Sequence, residues 1–447
     1  MWSIRIANVR TSNPEPRQLL DIRRLRDDSA GVAEALARRG DPAVVGAVDE
    51  ALRLDGMRRR ILGDVEVLKA ERNDVSRRVG ECKRSGEPAD ELIASMRTVG
   101  EQIRVLDREL AEVEAGLRAV LLGIPNLPDP RVPAGAEGDH VVVRGWGRPE
   151  AHPGGEGSPD AHWDLGETLG VLDMERGARL SGSGFPVLVG QGARLSRGLI
   201  QFMLDLHVDV HGYTEIAPPF LVNRNALVGT GQLPKFEEDL YRTDPDDLFL
   251  IPTAEVPLTN LHAGELLAES DLPIAYVAHT PCFRREAGAA GRDTRGMLRV
   301  HQFDKVELVR LTTPETSADE LELLTQHAET VLERLELPYR RILLAGGDLG
   351  FANAITYDLE VWSAGVGSWL EVSSCSSYTD FQARRADLRY RPADGGKPRH
   401  LHTLNGSGVA LARTIVALLE NNQQADGTVL IPDALRPYVG FDRIEAG

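Results

Sequence analysis

The chain has 447 residues, of which 42% are hydrophobic and 27% charged, and a formal charge of −17; it has room for two or three domains with cores of their own, and its composition excludes disorder throughout. So acidic a surface repels a polyanion, which excludes a general nucleic-acid binder and requires local basic patches for any nucleic-acid partner. The three cysteines Cys82, Cys282 and Cys375 lie far apart, and no apolar run is long enough for an export signal or a bilayer span; a disulfide framework, a zinc cluster and a membrane anchor are all unexpected, and reduced thiols suit the cytoplasm.

The first strong pattern is a heptad seam. Ile61, Val65, Leu68, Arg72, Val75, Val79 and Cys82 recur at alternating steps of four and three, and so do Leu92, Met96, Val99, Ile103, Leu106, Leu110, Val113, Leu117 and Val120. The turn Ser85-Gly86-Glu87-Pro88 separates the two runs, so they are expected to fold back as an antiparallel coiled-coil hairpin. Helices of roughly 30 to 40 residues at about 1.5 Å each make an arm of about 45 to 60 Å. Arg58, Arg59, Arg60, Lys69, Arg72, Arg77, Arg78, Lys83 and Arg84 gather on the first helix and the tip. Taken alone, they are either the solvated flank of a coiled coil or a surface for a polyanion.

Proline punctuation over residues 122–133 (LGIPNLPDPRVP) ends the hairpin and puts a domain boundary near residue 125. The Gly- and Pro-rich residues 150–159 read as a second linker or surface loop. Beyond it, short apolar runs alternate with helical patterns over 194–211 and 317–335, without a βαβ rhythm. An α+β domain around an antiparallel sheet is expected. There is no P-loop, convincing dinucleotide fingerprint or repeat.

Chemistry concentrates in two places. In Cys282-Phe283-Arg284-Arg285-Glu286, Arg284 and Glu286 are expected on one face of a strand; after a Gly- and Arg-rich loop, Phe303, Lys305 and Glu307 alternate on one face of a returning strand. Such a hairpin either offers charge and an aromatic ring to one pocket or is a salt-bridged surface pair. Downstream, residues 403–423 (TLNGSGVALARTIVALLENNQ) read as a Gly-Ser-Gly turn opening a helix with Val409, Leu411, Ile415, Leu418 and Leu419 inward. Arg413 sits one turn into that apolar helix, where it needs an anion or a carboxylate.

With residues 212–221 (GYTEIAPPFL), in which Pro219 takes the place of the motif proline, these segments resemble motifs 1, 2 and 3 of class II aminoacyl-tRNA synthetases. Thr253-Ala254-Glu255, residues 229–236 (GTGQLPKF), 371–374 (EVSS) and 403–407 (TLNGS) resemble the bacterial type of seryl-tRNA synthetase. The likeness runs from about Leu19 to about Tyr438.

The resemblance implies a class II antiparallel sheet flanked by helices, with an N-terminal hairpin arm. Residues 1–18 would be an extension or the product of an upstream start, 19–125 a tRNA-binding domain and 126–447 the catalytic domain. Serine would attack ATP to give seryl-adenylate and then pass to tRNA(Ser), with tRNA(Sec) as a further acceptor. Arg284, Glu286 and Arg413 would be catalytic. Arg284 would grip the α-phosphate, Glu286 and Phe303 the adenine, and Arg413 the γ-phosphate, with Arg285, Val300, Val372 and Ser373 completing the ATP site. Glu371 and Ser374 would hold Mg2+ with the phosphates, and no zinc is implied. Thr253, Ala254, Glu255, Arg284, Glu307, Asn405 and Ser407 would bind serine, with Thr403 close enough to orient it. Arg58, Arg72, Arg77, Arg78, Lys83 and Arg84 on the arm, and Arg292 and Arg295 in the motif 2 loop, would meet tRNA.

His301, His400 and His402 are expected to be structural or substrate-lining, and the thiols of Cys282 and Cys375 structural. A cytoplasmic homodimer formed through motif 1 is implied. The alternatives are a specialised paralog in secondary metabolism or inhibitor resistance, a ligase charging a carrier protein, and a non-catalytic RNA-binding relative.

Overall fold

A computed structural model describes residues 20–149, 159–287 and 295–446. It contains two compact units, one of Leu19–Ala37 and Asp41–Pro125, the other built on Asn126–Gly447 with Arg38–Gly40.

In the first unit, helices α1 (Ile22–Asp27) and α2 (Ser29–Ala37) pack on the base of α3 (Pro42–Ser85), which turns into α4 (Asp90–Gly123). The Asp41 carboxylate caps α3 by accepting from the Ala43 amide, and Pro42 stands where its missing N–H costs nothing. The helix stops at Gly86, whose φ of +75° suits glycine alone among common residues, with its N–H on the Cys82 carbonyl. At 44 residues α3 exceeds the expected length, because cap and proline start it well before the seam.

The seam forms as the heptads require: Ile61, Val65, Val75, Val79, Val99, Ile103 and Leu117 are buried, while Arg72 points into solvent. Arg58 is drawn across to Glu114 at 2.8 Å, and Arg77 pairs with Asp74 on its own helix. Arg72, Arg78 and Lys83 stay exposed.

The second unit is organised by an eight-stranded sheet. Its strands are β1 (Val141–Trp146), β2 (Thr214–Glu215), β3 (Ile274–Phe283), β4 (Gln302–Thr312), β5 (Tyr339–Leu343), β6 (Ile355–Ser363), β7 (Ser368–Ser377) and β8 (His402–Ala410). The spatial order is β1-β5-β6-β7-β8-β4-β3-β2, antiparallel throughout except that β2 runs parallel to β3. Around it lie α5 (His162–Thr168), α6 (Gln191–Asp205), α7 (Glu255–Thr259), α8 (Ser317–Arg334), α9 (Phe381–Ala386) and α10 (Leu411–Asn421).

Alternation sorts the two faces. Val306 and Leu308 of β4, Cys375 of β7 and Leu404 of β8 join Leu199, Leu324, Val331, Ile415 and Leu418 of the helices in one core. The other face is polar where β4, β7 and β8 run side by side, and it holds the candidate site.

Two expectations are corrected here. Gly406-Ser407-Gly408 is not a turn: it lies inside β8, and α10 begins only at Leu411. A Cβ on Gly406 would stand 2.3 Å from Leu324 Cδ2 and 2.9 Å from Cys375 Sγ, so glycine here permits close packing rather than reversal. Arg284 and Glu286 are not on a strand, since β3 ends at Phe283 and Glu286 has φ of +51°. The chain leaves the ladder after Arg284, whose amide still donates to the His301 carbonyl at 2.9 Å, and turns Glu286 toward Arg299.

Candidate active site

A cavity of about 390 Å³ opens over the polar face. Phe303 and Lys305 of β4, Glu371, Val372, Ser374 and Ser376 of β7, and Asn405 and Ser407 of β8 line it, all from neighbouring strands. Thr253 and Glu255 enter from the start of α7, Arg284 and Glu286 from beyond β3, Val300 from the approach to β4, and Arg413 from α10. Glu307 is fully buried just beneath Asn405.

The buried end is a closed hydrogen-bond network. Asn405 Nδ2 donates to Glu255 Oε2 at 3.0 Å and to Glu307 Oε1 at 2.9 Å, while its Oδ1 accepts from the Tyr378 hydroxyl at 2.9 Å. One amide thus bridges two carboxylates. Gln382 of α9 donates to the other Glu255 oxygen at 2.6 Å and is itself held by the Thr403 hydroxyl at 2.6 Å. Lys305 donates to Thr253 Oγ1 at 2.9 Å and pairs with Glu307. Burial and the nearby Glu307 charge push the Glu255 carboxyl up to about 7. Two carboxylates against one lysine leave the pocket short of positive charge, which suits an ammonium group.

The wider end is lined by cations. The Arg284 guanidinium lies 5.2 Å from the Phe303 ring centroid, and its Nε donates to the Pro252 carbonyl at 3.4 Å. His301 Nδ1 donates to the Arg284 carbonyl at 3.0 Å, which makes this histidine a brace for the segment. Glu286 accepts from Arg299 Nε at 2.6 Å. Arg413 spans the far wall, donating to the Leu298 carbonyl at 3.0 Å and the Glu371 carbonyl at 2.7 Å.

Glu371 and Ser374 face the cavity together. Asp358 of β6, directly across from Ser374, has an Oδ1 with no hydrogen-bond partner, and burial and then the Glu371 charge hold its carboxyl well above the usual range. Surplus negative charge on hard oxygen donors fits Mg2+ bound jointly with phosphates. Among the described residues no group of three or more His, Cys, Asp or Glu is placed to hold a metal alone.

Several expected residues are not brought to the cavity wall. Ala254 is buried behind it, and Ser373 points to the opposite face, where its hydroxyl donates to the Ser407 carbonyl at 2.6 Å. Arg285 is exposed and bonds through its amide to the Asp239 carbonyl. The Thr403 hydroxyl is taken by Gln382. Arg295 stacks over Trp163 at 4.3 Å and lies 3.6 Å from Asp164; Arg292 is outside the described residues. Burial pushes the Cys375 thiol up to about 12 and raises that of Cys282. Neither is a nucleophile. His400 and His402 do not line the cavity.

The sequence reading missed Gln232, Lys305, Tyr378, Ser376 and Gln382 as site residues. For Lys305 a signal existed, since it shares the alternating face of Phe303 and Glu307. Gln382 carried none, because an amide on a short helix gains meaning only from what folds against it.

Comparison with known proteins is consistent over about 94–96% of the chain. Residues 19–128 match the seryl-tRNA synthetase N-terminal domain and 235–422 the class II tRNA synthetase core domain (G, H, P, S and T). The serine–tRNA ligase of Gemmatimonas aurantiaca is 55% identical over 94% of this chain and 98% of its own, and that of Clostridium tetani 50% identical over 94% and 99%. The crystal structure of seryl-tRNA synthetase from Pyrococcus horikoshii complexed with ATP superposes with a TM-score of 0.91 at 40% identity, covering 96% of this chain and 100% of that one. Cytoplasmic serine–tRNA ligase from Naegleria fowleri, in complex with AMP, gives 0.85 at 29%, covering 96% and 99%. The chain belongs to the seryl-tRNA synthetase family of class II aminoacyl-tRNA synthetases.

Proposed function

We propose that the protein is a serine–tRNA ligase, joining L-serine to tRNA(Ser) through seryl-adenylate at the expense of ATP, which leaves as AMP and pyrophosphate. The observation that carries the reading is the Glu255–Asn405–Glu307 bridge at one end of a cavity whose other end presents Arg284, Phe303 and Arg413. Serine's ammonium meets the carboxylates, its hydroxyl hydrogen-bonds among Thr253, Glu307 and Ser407, and its carboxylate lies toward Arg284. Alanine would leave those buried polar groups unpaired, and threonine's extra methyl has to be excluded by size.

ATP occupies the wide end with adenine on Phe303 and Glu286, beside Val300 and Val372. Arg284 neutralises the α-phosphate as its charge grows under attack, and Arg413 takes the γ-phosphate. No protein nucleophile is needed; the protein contributes alignment and charge. Glu371 and Ser374 would hold Mg2+ with the nucleotide, and the ion would supply charge neutralisation.

Residues 126–447 act as the catalytic domain and 19–125 as the tRNA-binding domain, whose arm holds the tRNA by backbone and shape through Arg72, Arg77, Arg78, Lys83, Arg84 and Arg58. Arg295, and Arg292 outside the described residues, are the motif 2 loop cations assigned to the acceptor end. We extend the acceptor range to tRNA(Sec). Exposed Phe220 and Leu221 at the end of motif 1 support a homodimer. Among the described residues no helix is long and apolar enough to cross a membrane, and we place the reaction in the cytoplasm. The relatives are serine–tRNA ligases at 50% identity and above, which favours the general ligase over a specialised paralog.

The test is amino-acid-dependent pyrophosphate exchange with serine, threonine, alanine and glycine, run beside charging of purified tRNA. Exchange and charging with serine alone are expected. Exchange without charging would redirect the activity to another acceptor, and neither would overturn it.

A further inference from the structure

Behind the nucleotide end of the cavity lies a fully buried histidine–carboxylate pair that adenylation as described does not use. His162, at the start of α5, and Glu420, near the end of α10, are each 0% exposed. Glu420 Oε1 accepts from the His162 amide at 2.9 Å and from His162 Nδ1 at 2.8 Å. Its Oε2 accepts from the Ser363 hydroxyl and from the amides of Gly365 at 3.0 Å and Val366 at 3.3 Å. Burial alone would raise this carboxyl, but bonds from His162 and Ser363 hold it below its ordinary value. Backbone amides, which can only donate, meet both Glu420 oxygens, so Glu420 is an anion that accepts and His162 Nδ1 carries the proton.

The other ring nitrogen is then an acceptor, and the Met297 amide donates to Nε2 at 2.9 Å. The contact is close: a Cβ on neighbouring Gly296, whose φ is +61°, would stand 2.2 Å from Nε2. Met297 and Leu298 line the nucleotide end of the cavity. Helix α10 thus grips two successive residues of that wall, Leu298 directly through Arg413 and Met297 indirectly through Glu420 and the imidazole. These holds differ in kind. Arg413 is solvent-accessible and is the side chain that the reading above assigns to the γ-phosphate, whereas the His162–Glu420 pair is sealed.

We propose that His162 is a positioning residue for adenylation: it fixes the Met297 amide so that the nucleotide wall keeps its place when Arg413 exchanges the Leu298 carbonyl for phosphate. The proposal rests on the cavity being an ATP site. It predicts that the hydrogen bond at Nε2, rather than the bulk of the ring, governs nucleotide binding.

Two substitutions separate these roles. In His162→Gln the amide oxygen reaches the Nε2 position and still accepts from Met297, while the bond to Glu420 is lost. In His162→Asn the shorter amide keeps a donor for Glu420 and cannot reach Met297. Serine-dependent pyrophosphate exchange by the unmodified protein comes first, since its absence would count against the ATP reading and not against His162. With exchange established, the Asn variant should raise KM for ATP about tenfold, the Gln variant less than about threefold, and neither should move KM for serine. Parallel losses in both variants, or losses tracking Tm, would reduce His162 to a packing residue and overturn the proposal. Should either variant fail to fold, hydrogen exchange at the Met297 amide of the unmodified protein decides. Protection that persists with a non-hydrolysable ATP analogue is expected; protection that disappears on nucleotide binding sinks the idea.

Discussion

Glu255 is fully buried and faces a second carboxylate through a single shared amide, which is why its carboxyl is raised to about 7. The pocket needs the anion to hold an ammonium group. As pH falls through that value Glu255 gains a proton, and KM for serine should climb by up to about tenfold per unit below it, while KM for ATP stays nearly level. The same shift has an opposite consequence for folding, since the folded state binds this proton more tightly than the unfolded chain. Its stabilising effect is complete below the unfolded carboxyl value and is lost as pH rises through about 7. A serine KM flat between pH 6 and 8 would count against Glu255 as the ammonium partner.

At this scale the sequence spoke through motif residues. Glu255, Glu307, Asn405 and Arg413 are each assigned to the site through the family resemblance, and the structure gathers them at the cavity, Glu307 just beneath its wall. Ser373 could not be told from Ser374 by composition, although alternation along β7 sends one hydroxyl to Ser407 and the other to the cavity. The Gln382–Thr403 clamp on Glu255 was out of reach, because its partners converge only when α9 docks beside β8.

Among the elements, the hairpin was the most legible, since a heptad repeat specifies both helices and the face they share. Strand β8 was the least. Glycine signals turns and close approaches alike, and the distinction at Gly406 depends on Leu324 and Cys375 arriving from elsewhere in the chain. With the arm assigned to tRNA as proposed, the hairpin also separates the two half-reactions. Replacing residues 51–117 with a short linker should leave serine-dependent exchange close to normal and abolish tRNA charging, and a truncated protein that still charged tRNA would remove the arm from the mechanism.

For the whole molecule, a net charge of −17 means that the proposed tRNA contacts work against the average field through a few exposed cations. Binding should be strongly salt-dependent. Changing Arg72, Arg78 and Lys83 together to Ala should flatten the log–log salt slope of tRNA KM by about two to three and weaken tRNAs of different sequence alike. A slope that did not change would place the contacts elsewhere.

On the proposed assignment, one length of chain serves both substrates. Asn405 and Ser407 line the serine end from β8, and the same segment runs without a loop into α10, where Arg413 faces the nucleotide. Shifting that strand to admit a larger amino acid would carry Arg413 with it, so selectivity and turnover are mechanically tied. A lineage seeking a new substrate would have to widen the pocket from the α7 and α9 side, at Thr253 or Gln382, and leave β8 where it stands.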